Sequence, residues 1–173
     1  MKDLDYRFND AAYQKTIKII QDSVKAIEEF LHIDDPFIKF TAEGGLAVKY
    51  YNKTGARSIK GTLVEIETSL DNSITTVAAD AYDCIGAIYE DNVPDGSYVW
   101  VVVAGTAEVL LKDSTASTRG NWVKVSDATG RADATSGVPS PPTAAEHFKE
   151  IGHCLETQTA GTDVLCKINM HFL

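Results

Sequence analysis

The first apolar pattern along the chain has a helical period. Tyr13, Ile17, Ile20, Val24, Ile27 and Leu31 follow one another at steps of four and three residues, the spacing of a heptad seam. Asp10 is the expected N-cap. The helix should stop near Asp34, because Asp35 precedes Pro36 and is pushed towards extended backbone. In this frame Ile17, Val24 and Leu31 take the a positions and Tyr13, Ile20 and Ile27 the d positions. β-Branched residues at d pack poorly in a parallel dimer, so the seam leans towards a trimer or higher oligomer. Ile19 and Phe30 widen the apolar stripe, which suits a helix lying on its own domain or docked on a partner. Self-association, docking and intramolecular packing therefore stand as three readings of one helix.

From Phe37 the period drops to two. Phe37, Lys39 and Thr41 alternate with Ile38, Phe40 and Ala42. Short runs rich in β-branched and aromatic residues follow: GLAVKYY (45–51), GTLVEIET (61–68), CIGAIYE (84–90), SYVWVVVAG (97–105), TAEVLL (106–111) and NWVKVS (121–126). Turn formers such as Asn52–Gly55, Asp71-Asn72-Ser73 and Pro94-Asp95-Gly96 separate them. Residues 127–145, small, polar and rich in Pro and Gly, read as a long surface loop or an excursion between strands. Glu146–Lys149 could add a helical turn, and IGHCLET (151–157) and VLCKINMHFL (164–173) are closing strands. The predicted fold is mainly β: a β-sandwich or β-barrel domain over 36–173, preceded by an N-terminal helical arm over 1–35. No helical crossovers link the strands, which disfavours an α/β sheet.

Charge narrows the function. Asp and Glu outnumber Lys and Arg by 25 to 16, a net charge of −9, and such a surface repels phosphate backbones. General nucleic-acid binding is not expected. No run approaches the ~20 apolar residues of a membrane span, and the polar start MKDLDYRFND does not read as a signal peptide. The expectation is a soluble protein made in a cytoplasm, with no membrane partner. Cys84, Cys154 and Cys166 form an odd set without close pairing, so reduced thiols are expected rather than a disulfide framework.

No phosphate-binding glycine loop and no G-x-S-x-G elbow is present. His153, Cys154, Cys166 and His171 gather near the end of the chain, but His153 and Cys154 are strand neighbours and point to opposite faces. A single ion could not hold both without a bulge, so no metal ligand is assigned. A Cys–His pair across the last two strands could in principle serve nucleophilic catalysis, yet no known nucleophile motif flanks Cys154. Asp80, Asp83, Glu90, Asp91 and Asp95 sit mostly beside turns, where carboxylates serve the backbone. Trp100 lies between valines and Trp122 directly before one, and both read as core or inter-subunit packing. No catalytic residue and no cofactor is expected, and the protein reads as a non-enzyme.

Residues 44–125 carry a resemblance as a block. Lys60-Gly61-Thr62-Leu63-Val64, then Ile85-Gly86-Ala87, then Asp95-Gly96 with Val99, then Gly105-Thr106-Ala107 follow one another in an order similar to that of tailed-bacteriophage head decoration and head-fibre-base proteins of the small β-domain type. Gly152–Glu156 and Ala160–Asp163 resemble the tails of such proteins. The resemblance implies a bacteriophage virion structural protein on the capsid surface. It would bind the major capsid protein, commonly as a homotrimer, and stabilise the shell or carry the base of a fibre. A competing class is a carbohydrate-binding or adhesin module on a virion, using the turns around 91–96 and the 127–145 segment.

Overall fold

The computed structural model describes residues 15–23, 25, 37–134 and 143–171. The chain divides into two compact units, Met1–Pro36 and Phe37–Leu173. In the first unit, residues 15–23 form helix α1. Among the described residues the second holds ten strands: β1 (Ile38–Phe40), β2 (Gly45–Asn52), β3 (Leu63–Ile66), β4 (Ser73–Thr76), β5 (Cys84–Ile88), β6 (Tyr98–Leu110), β7 (Trp122–Val125), β8 (Ala132–Ala134), β9 (Glu150–Cys154) and β10 (Leu165–Met170). A short helix, α2 (Ala144–His147), precedes β9. The fold is mainly β, with a closed barrel.

Two rings of strands share β6. In the first ring the order is β2-β4-β3-β5-β6, and β6 pairs back to β2 from Tyr51↔Tyr98 to Gly45↔Gly105. Closure removes the open edges of these strands. One of its contacts, β2–β4 at Tyr51↔Ser73 and Asn52↔Ile74, is parallel, made without a helical crossover. The second ring runs β6-β10-β9-β7-β8, and a parallel bridge from Leu111 to Ala132 joins its ends.

Strand β6 passes from one ring to the other because of two local devices. Val103 is an extra residue against β2, since Leu46 pairs with Ala104 and Ala47 with Val102. Such a bulge bends the strand and raises its twist. Gly105 then takes φ +80°, and a Cβ there would lie 2.7 Å from the Gly44 carbonyl oxygen. Beyond it, β6 pairs with β10 as far as Leu110↔Leu165. The two runs 97–105 and 106–111 are thus one strand of 13 residues.

Alternation along the shared strands feeds two cores. Val64, Ile74, Ile88, Val99 and Val101 fill the first ring, with Tyr50 packed against them. Their strand neighbours Leu63, Ala87, Val102 and Ala47 face the other way and join Val109, Val123, Ile151, Cys166 and Ile168 in the larger core. The wall of the first barrel is therefore buried on both sides, and such strands read as unbroken apolar runs.

Two features depart from the sequence expectation. Residues 127–145 are not loop throughout, because β8 pairs Ala132, Asp133 and Ala134 with Val125, Lys124 and Val123. Ala132 and Ala134 are buried, and their small side chains gave no apolar signal. Ser73, expected in a turn, opens β4, where it and Ile74 are fully buried.

Candidate assembly surfaces

Helix α1 carries part of the heptad seam. Ile17 is half-buried and Ile20 is 53% exposed, while Ile19, off the seam, is 57% exposed. Tyr13, Val24, Ile27 and Leu31, with Asp10 and Asp34, lie outside the described residues. Isoleucines left in water within one chain represent burial still to be gained by association.

A second surface runs along the wall of the first barrel. Alternation on β2 sets Lys49 and Tyr51 on one face, opposite Trp100 and Tyr98 of β6. Lysine ammoniums lie over these rings: Lys39 Nζ is 4.3 Å from the Trp100 centroid and 4.8 Å from that of Tyr89. Lys49 is 5.4 Å from Trp100, Lys53 is 5.7 Å from Tyr51, and Lys60 is 5.6 Å from Tyr89. Burial against the rings lowers the Lys39 pKa, partly offset by Glu90. Lys60 also pairs with Glu108, whose hydrogen bond raises its pKa. Strand β1 borders this wall at the edge of the sheet, and it and the preceding residue expose Phe37 (62%), Ile38 (60%) and Phe40 (78%). An apolar edge strand beside aromatic rings is an interface in composition.

The turns at one end of the barrel are fixed by buried polar groups. Asn52, fully buried, donates to the carbonyls of Ala56 (3.1 Å) and Val93 (3.2 Å) and accepts from Thr54 N (3.1 Å). The acidic stretch serves this framework. Asp95 accepts from Gly55 N, Asp91 from Lys60 N, Glu90 from Trp100 N, and Asp80 pairs with Lys149.

The third feature is a polar cluster on β9. Helix α2 begins with a capping box, in which Thr143 Oγ1 accepts from Glu146 N and Glu146 Oε2 accepts from Thr143 N. The helix ends at His147, whose Nδ1 lies 3.2 Å from Glu150 Oε2. Glu150 is buried, and its other oxygen faces His153 and His171. A groove of about 420 Å³ beside it is lined by Ile66, Tyr82, Ile85, Phe148 and Lys149. His153 and Cys154 do face opposite ways: His153 is half-exposed, whereas Cys154 is buried in the large core with Cys166. Burial pushes the Cys84 thiol up to about 12, while the contact between Cys154 and Cys166 raises the pKa of the first and lowers that of the second.

No family model matches the sequence, and no curated protein matches it. Among solved structures, the N base of head fiber gp8.5 from bacteriophage phi29 is similar to this chain, with a TM-score of 0.50 and 14% identity, over 72% of this chain and 92% of that one. The two share a fold. The likeness takes in nearly the whole of the phage fibre base, and the resemblance read from residues 44–125 pointed to the same class of protein.

Proposed function

We propose that this chain is a non-enzymatic virion structural protein of a tailed bacteriophage, held on the outer capsid shell as a homotrimer. The shared fold with a phage head-fibre base is the observation that carries this reading. The exposed Ile19 and Ile20 of α1 and the exposed β1 edge support self-association, since both leave apolar surface that a second and third copy would cover. Each copy then contacts more than one shell subunit, and the linkage of weak contacts holds the trimer by avidity. The shell gains kinetic resistance because a clamp spans its joints. The major capsid protein is the proposed partner.

A sugar-binding reading draws on Tyr98, 51% exposed and close to the turn at 91–96. Its neighbour Tyr51 meets it edge-on at 5.5 Å, and lysines already lie over both rings. Ring faces occupied by ammonium groups are poor platforms for a pyranose, so the assembly reading is preferred.

The test is light scattering on the full-length chain and on residues 36–173, followed by co-sedimentation with capsid shells that lack the protein. A trimer that loses both its mass and its shell binding on deletion of the arm is expected. A monomer that ignores the shells, or one that binds a glycan array through Tyr98, would overturn the reading.

A further inference from the structure

We propose that Glu150, His153 and His171 bind one divalent transition-metal ion of the zinc class. Three donor atoms already converge. His153 Nδ1 is 3.1 Å from His171 Nε2, and Glu150 Oε1 is 3.5 Å from His171 Nε2 and 3.8 Å from His153 Nδ1. An ion bonded at about 2.0–2.1 Å in tetrahedral geometry sets its ligand atoms about 3.3 Å apart. Two sides of the observed triangle are within 0.2 Å of that and the third, 3.8 Å, is 0.5 Å longer.

The backbone builds the triangle. Glu150 and His153 are three apart, which in a regular strand puts them on opposite faces. Ile151 is an extra residue against β7, because Val123 pairs with Gly152 and Lys124 with Glu150. The bulge turns both side chains to one side while Ile151 stays in the core. His171 follows β10, and its amide donates to the Ile151 carbonyl at 3.1 Å, which brings its ring beside that of His153.

Charge and proton placement favour an ion. The Glu150 side chain is 3% exposed, and among the described residues its ion-pair partners are the three imidazoles of His147, His153 and His171. A buried carboxylate needs a positive counter-group. His153 Nδ1 and His171 Nε2 face each other as well as the carboxylate, so neutral rings cannot both donate to it and still satisfy their mutual contact. A cation at the centre meets all three lone pairs at once. His147, on the far oxygen, then orients the carboxylate, and Trp122 walls the site, 6.3 Å from His153 and 5.9 Å from His147. Two imidazoles and one carboxylate select zinc, cobalt or nickel over calcium or magnesium, which take oxygen donors. His153 and His171 are 40% and 35% exposed, so the fourth position is open to water. The ion would act as a staple between β9 and the end of β10.

The experiment uses the full-length chain without a histidine tag, stripped with chelator and titrated with CoCl₂ and ZnCl₂. Expected are visible cobalt absorption at one equivalent, displacement by zinc, a change in tryptophan fluorescence that persists in W100F, and a zinc-dependent rise in Tm. H153A, H171A and E150Q should each weaken zinc by at least about tenfold, and H147A by less. Because the two ligand imidazoles are half-exposed, H153A and H171A should fold, as their apo melting curves will show. Affinity no tighter than millimolar, or binding that survives H153A and H171A, would overturn the proposal and leave a hydrogen-bonded imidazole cluster only.

Discussion

Gly152 has φ +149°, and a Cβ placed there would lie 2.1 Å from the Asn169 carbonyl oxygen and 3.1 Å from Met170 Cα. Backbone, unlike a flexible side-chain tip, cannot step aside at that distance. Gly152→Ala should therefore force β9 and β10 apart and cost about 2–3 kcal/mol, as strain and lost pairing combine. Urea denaturation of the variant reads this directly, and an unchanged midpoint would show that the bulge is not needed. Glu150 and His153 flank the same glycine, so their placement depends on it. Both residues are plain in the sequence, and so is His171. Their meeting was hidden because a strand read at period two separates positions three apart, and nothing local marks Ile151 as the extra residue.

At the scale of elements, the second ring hangs on a short strand. Strand β8 has 3 residues, and its link to the end of β6 is the Leu111–Ala132 bridge, with Lys112 N donating to Ala132 O at 2.7 Å. Arg131 secures it. Its guanidinium donates to the Leu111 carbonyl at 3.2 Å and reaches Asp163 at 2.5 Å. The Arg131 side chain is only 24% exposed, so the bond to the carbonyl is partly shielded from water. Arg131→Ala is expected to cost about 1–2 kcal/mol. It should also speed hydrogen exchange at the Lys112 amide before global unfolding, and equal protection in both proteins would count against this closure. Short runs rich in β-branched and aromatic residues, set off by turn formers, made β2, β3, β5, β6, β7, β9 and β10 legible in advance. Strands β4 and β8 were not, since Ser-Ile-Thr-Thr and Ala-Asp-Ala carry too little apolar contrast to stand out from turns.

For the whole molecule, every fully buried hydrophobic residue among those described falls between Ala47 and Met170. The β unit thus owns its core. Residues 36–173 alone should unfold cooperatively, with far-UV circular dichroism dominated by strand. A fragment that fails to melt cooperatively would mean that the arm completes the fold. The proposed division of labour follows: the β unit supplies a rigid body, and the apolar faces of α1 and β1 supply attachment.

The sequence by itself determined the class of structure. Period two against period 3.6 separates strands from helix, and glycines and aspartates punctuate the runs, because these are properties of neighbours along the chain. It also set the acidic surface and the heptad seam. Only the tertiary structure decided that the strands close as two rings about β6, since a strand buried on both faces shows no alternation to say which neighbour it meets. The convergence of Glu150, His153 and His171 was decided there too. It rests on one bulge and one cross-strand register, and both are set by packing between segments distant in sequence.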